Sequence, residues 1–170
     1  MNKKQSKGKN NKNDVKVMQG FTIIEVVLVL AIAGLIFLMV FVALPAMQRN
    51  QRDTSRKNAY GLVASAVASY QSNNNGKYPT GTGTSNELLT KKYIDENKFT
   101  DPSSGNTINI TVYDANDGVP TTPPTEGYVY IVRHAKCSKT TSNTTNVKKE
   151  GSGFAVWGYL EAGEMYCQDN

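Results

Sequence analysis

From Val26 to Met47 the chain runs for 22 residues without a charged, Asn, Gln, Ser or Thr side chain. A helix of about 20 apolar residues crosses a hydrocarbon core roughly 30 Å thick, so this one stretch decides what the remainder can fold into. A water-soluble domain must come from the residues that follow it. Immediately before the run stands Gly20-Phe21-Thr22-Ile23-Ile24-Glu25. A carboxylate at the mouth of a membrane span is unfavourable unless it is paired. Glu25 therefore has two readings: an acid with a function, or a stray acid in the interface of a plain signal-anchor. An ordinary cleaved secretory signal fits poorly, because its apolar core would be about 7–15 residues long. Ala43-Leu44-Pro45-Ala46 is also a weak small-residue cleavage site.

The whole chain carries a formal net charge of +5 and a pI near 9.1, a balance that at first suggests nucleic acid or an anionic membrane. The position of the charge removes that suggestion. Lys3, Lys4, Lys7, Lys9, Lys12 and Lys16 stand against Asp14 in the first 20 residues. Taking those six bases and one acid from the totals of 19 and 14 leaves 13 of each from Phe21 onward. DNA binding is therefore not indicated. A basic segment before an apolar span keeps the N-terminus cytoplasmic and sends the C-terminus outward. The rest of that leader is Asn, Gln, Ser and Gly, a composition that buries nothing.

A basic leader, then glycine, phenylalanine, threonine, two aliphatic residues, glutamate and a long apolar helix together resemble the class III signal of type IV prepilins and pseudopilins. The resemblance covers the first third of the chain closely and the rest in outline. It implies that a membrane prepilin peptidase cuts between Gly20 and Phe21 and methylates the new amino group of Phe21. It also makes Glu25 the glutamate used in assembly. The spacing has a physical sense of its own, since Phe21 and Glu25 lie four residues apart on one helical face. The new ammonium can pair with its own glutamate, or with that of a neighbour, which would set the axial register of a helical bundle. Gly34 and Pro45 are the helix-weakening residues of the span; Pro45 lacks a donor and crowds the carbonyl four residues earlier. The resemblance implies that they bracket a segment able to melt on assembly. The implied partners are the prepilin peptidase, other pilin copies in a homopolymer, an inner-membrane platform and cytoplasmic motor ATPases. The implied location is the cytoplasmic membrane before assembly and a cell-surface pilus after it.

Beyond the span, Gln48 to Asn58 is polar, with Arg49, Arg52, Asp53, Arg56 and Lys57 expected where the helix leaves the outer membrane surface. Ala59, Leu62, Val63, Ala66, Val67 and Tyr70 then recur at spacings of three and four, an amphipathic stripe suited to packing on a sheet. Asn73-Asn74-Asn75-Gly76 supplies a stop. One helix from Thr22 to about Asn74 would be roughly 80 Å long. Thr84 and Glu87 have capping-box spacing, opening a short second helix to about Asn97, and Asp101-Pro102-Ser103-Ser104-Gly105 reads as a turn. Strands are expected over 107–113, 127–135, 154–160 and 165–168, with exposed loops over 114–126 and 138–152. The expected fold is α+β and pilin-like, a long N-terminal helix packed on a small antiparallel sheet. Its divisions are a cleaved leader (1–20), the transmembrane and polymerisation half of the helix (21–47), its amphipathic half (48–75) and an extracytoplasmic head (76–170).

Cys137 and Cys167 fall late in the chain, and in an oxidising compartment they can bridge; two free thiols are the alternative. The resemblance favours the bridge, since many pilins carry a C-terminal disulfide-bounded region. Two cysteines with distant His134 do not make a metal site, and His134 is expected to be structural or at the surface. Asp114, Asn116, Asp117 and Gly118 fail the calcium-loop pattern and read as a turn. Asn109 and Asn143 begin glycosylation sequons by pattern alone. No nucleophile–base pair, phosphate loop or carboxylate dyad stands out, so neither an enzyme nor a cofactor is expected. The expected function is that of a type IV pilus subunit, in a filament serving adhesion, twitching motility or DNA uptake. A type II secretion-like pseudopilin or a minor or competence pilin is the neighbouring alternative. A membrane-anchored binding protein that never polymerises is the more distant one.

Overall fold

The computed structural model describes residues 20–139 and 145–170; the leader lysines and the sequon at Asn143 lie outside the described residues. Helix α1 spans Ile23–Asn73. Thr22 opens it: its carbonyl accepts from the amides of Glu25 at 3.1 Å and Val26 at 3.3 Å, and its hydroxyl accepts from the Glu25 amide at 3.3 Å. Pro45 lies inside the helix. At the far end Asn75 and Gly76 adopt left-handed φ of 53° and 78°, which turns the Gly76 amide back onto the Gln71 carbonyl at 2.8 Å.

The chain divides into two compact units between Val42 and Ala43. In the second, α1 buries Tyr60, Val63, Ala64, Ala66, Val67 and Tyr70. Leu62, expected in that stripe, is instead 44 % exposed, and Tyr60 takes the inward position. A sheet of four strands receives this face: β1 (Asn109–Asp114), β2 (Tyr128–Lys139), β3 (Thr145–Tyr159) and β4 (Met165–Asp169), in that spatial order. Ile110, Val129, Ile131, Phe154 and Val156 point at the helix side. The opposite face holds a second cluster around Val132, Ala155 and Trp157.

The sheet is mixed, which corrects the expectation of an antiparallel one. β2–β3 and β3–β4 are antiparallel, but β1 runs parallel to β2. A parallel neighbour requires the chain to travel back the full strand length, about 20 Å for a strand like β1. The connection over residues 115–127 holds Pro120, Pro123 and Pro124, which favour extended backbone and withhold the donors a hairpin partner would need.

Two local expectations are also corrected. Residues 138–139 and 145–152, expected as loop, are strand, with Ser138 opposite Asn146 and Cys137 opposite Val147. The second helix, α2, is only Glu87–Thr90, and its cap is Asn86, whose side chain accepts from the Leu88 amide at 3.0 Å. Glu87 does not serve Thr84. Its carboxylate takes the Lys91 ammonium at 2.6 Å, the Tyr70 hydroxyl at 2.8 Å and the Thr80 amide at 2.7 Å, which together hold it down to about 2. At the sequon that is described, Asn109 lies in β1 with its amide bonded to the Gly127 carbonyl.

Candidate functional site: an apolar helix face and a buried arginine

Phe21, just ahead of α1, and Glu25, Val26, Val29 and Leu30 in its first turns surround one shallow concavity. Phe21 is 84 % exposed, and none of the most apolar 18-residue window of the helix is buried. The helix is long and apolar enough to cross a membrane. Large apolar surface of this extent marks a place for lipid or for another protein. Within it Glu25 lies in the first turn, where the helix dipole and unpaired amides favour a negative charge. Among the described residues no cation stands within salt-bridge distance of its carboxylate. The Thr22-to-Glu25 spacing is that of a capping box, and the Thr22 half of it is formed. That signal was readable in the sequence. Gly34 and Pro45 both lie within α1 and are exposed, and a Cβ at Gly34 would meet nothing within 4 Å.

The polar stretch after the apolar run, expected at a membrane surface, is in part buried in the head. Asp53 and Arg56 are buried in the head, at 5 % and 0 % exposure. The Arg56 guanidinium donates to Asp101 at 2.8 and 3.2 Å, to Ser103 at 2.6 Å and to Asp53 at 3.2 Å. It also reaches Glu161 at 3.4 Å and Glu126 at 3.2 Å. Asp53 in turn accepts the backbone amides of Glu161 at 2.7 Å and Ala162 at 3.0 Å, the turn between β3 and β4. Arg52 closes the set with a two-pronged bond to Glu161 at 2.7 and 2.6 Å, the geometry that suits guanidinium to carboxylate. Burial works against the Arg56 charge, but the Asp101, Asp53 and Glu161 carboxylates outweigh it and its pKa is pushed up. Burial likewise opposes the Asp101 charge, and Arg56 with the amides of Ser103 and Ser104 overcomes it, so that its pKa falls. The Arg52 hydrogen bond brings Glu161 down to about 2. The cluster pins the helix to two turns of the head at once.

Cys137 and Cys167 are joined, linking β2 to β4 across a separation of 30 residues. His134 sits in a bulge of β2 with φ of 54°. Its Nδ1 lies 2.9 Å from Asp114 Oδ1, and Arg133 holds the other oxygen at 3.0 Å. Asp114 also accepts the Asn116 amide at 2.9 Å, so the segment expected to be a turn is one. The Asn116 amide and then His134 lower the Asp114 pKa. Among the described residues no group of three metal-ligating side chains comes together.

One end of α1 is an uncovered apolar rod with a single acid, and the other is fixed into a folded head by a buried ion cluster. No family model matches the chain, and no curated protein or solved structure is found to match it.

Proposed function

We propose that this chain is a type IV pilin subunit, made as a precursor in the cytoplasmic membrane and assembled into a surface filament by bundling of its apolar helices. The observation that carries the reading is Glu25: a carboxylate with no cation among the described residues, in the first turn of a helix whose apolar window is wholly uncovered. A surface of that kind calls for many neighbours of the same kind, and a buried acid among them calls for a cation. Cleavage between Gly20 and Phe21 would create that cation four residues away, and methylation would leave it charged. The Phe21 ammonium of an incoming subunit then pairs with Glu25 of one already in place. Prepilin peptidase, an inner-membrane platform and motor ATPases are the machinery this reading requires. Linking Cys137 to Cys167 suits a head that works outside the cell.

The test is a strain in which Glu25→Ala is the sole major subunit. Expected are normally cleaved, membrane-resident chains beginning at methylated Phe21, with few or no filaments. Sheared-filament yield is measured against total mature protein. A normal yield would remove the pairing mechanism and favour an anchored protein that does not polymerise. Retention of residues 1–20 on assembled protein would remove the precursor reading as well.

A further inference from the structure

Val147 and Trp157 are ten positions apart in β3, which in a straight strand would separate them by about 33 Å. Yet their strand partners Cys137 and Cys167 have Cα atoms only 5.8 Å apart, and Val147 shares a buried cluster with Trp157 and Ala135. The far end of the β2–β3 ribbon must therefore turn back over the outer face of the sheet. The places where it bends are marked. On β2 the register slips between Arg133 and Ala135, with His134 at φ 54°. On β3 Gly153 has φ 90°, a conformation that L side chains rarely adopt, and a Cβ there would lie 2.8 Å from Asn170 Oδ1. Besides the packing of Ala135 and Val147, two polar or covalent links hold the end down: the disulfide, and the Asp169 carboxylate accepting the Cys137 amide at 2.9 Å.

We propose that this ribbon end, Ala135–Lys139 with Thr145–Lys149, is a strap that the Cys137–Cys167 bridge latches over Trp157. A dithiol reductant releases it while the helix-side core stays folded. In that step the S–S bond breaks, two electrons and two protons pass from the dithiol to Cys137 and Cys167, and the dithiol becomes a disulfide. Two features favour opening once the latch is broken. The Trp157 indole N–H is buried without a hydrogen-bond partner among the described residues, a donor that water would satisfy. On the strap, Lys136 stands directly opposite Lys148, and like charges so placed weaken the pairing; Glu150 at 3.5 Å offsets only the first of them. The apolar contact of Ala135 and Val147 with Trp157 works the other way, but both are small side chains. The helix-side cluster of Tyr60, Val63, Val67, Ile131 and Val156 contains no strap residue, and Tyr166, which packs on Tyr60 beside Cys167, is held by the β3–β4 pairing as well as by the latch.

Trp157 is the one tryptophan of the chain, which makes it a clean reporter. The full chain in detergent micelles is examined before and after dithiothreitol, by tryptophan emission with acrylamide quenching and by hydrogen exchange. On reduction the emission should move to the red and the quenching constant rise several-fold. Amides of Val63, Val67 and Ile131 should keep their protection. The Cys137→Ser, Cys167→Ser double variant should give the open values without reductant. A tryptophan that stays shielded after complete reduction would overturn the strap, and so would loss of protection throughout the helix-side core in step with tryptophan exposure. Because the measurement is made on unassembled chains, its outcome stands apart from that of the filament experiment.

Discussion

Replacing Arg56 with methionine, which fills similar space without charge, tests the clamp between α1 and the head. The change leaves Asp101 at 1 % and Asp53 at 5 % exposure without their cation. Breaking a buried pair from one side typically costs about 3–5 kcal/mol. Here each stranded carboxylate keeps two backbone donors. Asp101 retains the amides of Ser103 at 2.9 Å and Ser104 at 3.3 Å, and Asp53 those of Glu161 and Ala162 at 2.7 and 3.0 Å. That places the loss in the lower part of the range, about 3–4 kcal/mol, or a fall in Tm of about 10–15 °C for a domain of this size. The pH dependence gives the sharper check. In the native protein the folded-state pKa values of Asp101 and Glu161 are depressed, so their stabilisation is complete above the unfolded carboxylate values near about 4. It is lost as pH falls from there towards about 2, where Glu161 titrates. Without Arg56, burial opposes ionisation of Asp101 and acid no longer penalises its folded form. The gap between native and Arg56→Met should therefore be widest near neutrality and narrow below about pH 4. Thermal unfolding by circular dichroism, with the disulfide intact in both, measures it. Asp101→Asn added to Arg56→Met should recover part of the loss. A fall in Tm of under about 3 °C, or a gap constant from pH 7 to 3, would refute the clamp.

Two further substitutions probe the head. A Cβ at Gly158 would lie closer than 3.0 Å to three atoms of the Tyr60 ring, whose hydroxyl is bonded to the Tyr159 carbonyl at 2.9 Å, so Gly158→Ala should lower stability by about 1–3 kcal/mol. Gly151→Ala, where nothing lies within 4 Å, should change denaturation midpoints little; equal effects would show that helix–sheet contact at Gly158 is not close. Cys137→Ala should lower stability by about 3–4 kcal/mol on chain-entropy grounds, and an unchanged urea midpoint would contradict that account.

The apolar half of α1 was legible because composition alone excludes water around it. Its docked half was legible from Ala59 to Tyr70, since period and residue type agree. The same face continues backwards at spacings of three and four through Tyr60, Arg56 and Asp53. Only the polar identity of the last two hid them, because a charged residue reads as solvated unless its partners are known. Those partners, Asp101 and Glu161, lie 45 and 105 or more positions away, beyond any local pattern. The parallel pairing of β1 with β2 left no local trace either, since alternation along a strand is the same whichever way its neighbour runs. The stretch from Thr145 to Ser152 is rich in Thr, Asn, Lys and Ser and reads as loop by propensity. Pairing with β2 and the single inward Val147 made it strand, a case of tertiary context overriding composition.

The clamp also limits how α1 can behave in the proposed filament. A segment from Gly34 to Pro45 that lost its helix would gain about 1.8 Å per residue, or roughly 20 Å in all. Residues 34–45 are exposed, so their melting breaks no contact within the head. Pro45 supplies no amide to the carbonyl four residues before it, which lowers the cost further. Melting cannot spread as far as Asp53, because the two carboxylate oxygens that hold the Glu161 and Ala162 amides must stay in register with Arg56 one turn on. The extensible segment is thus bounded on the C-terminal side by the ion cluster, with residues 46–48 as its margin, since Arg49 already reaches Glu161 at 4.0 Å. Hydrogen exchange on filaments and on micelle-held subunits separates the cases. Amides between Gly34 and Gln48 should exchange faster in the filament, while those from Asp53 to Tyr70 should be unchanged. Uniform protection along α1 in both states would show that the helix stays whole, and equal loss beyond Asp53 would show that the clamp does not hold it.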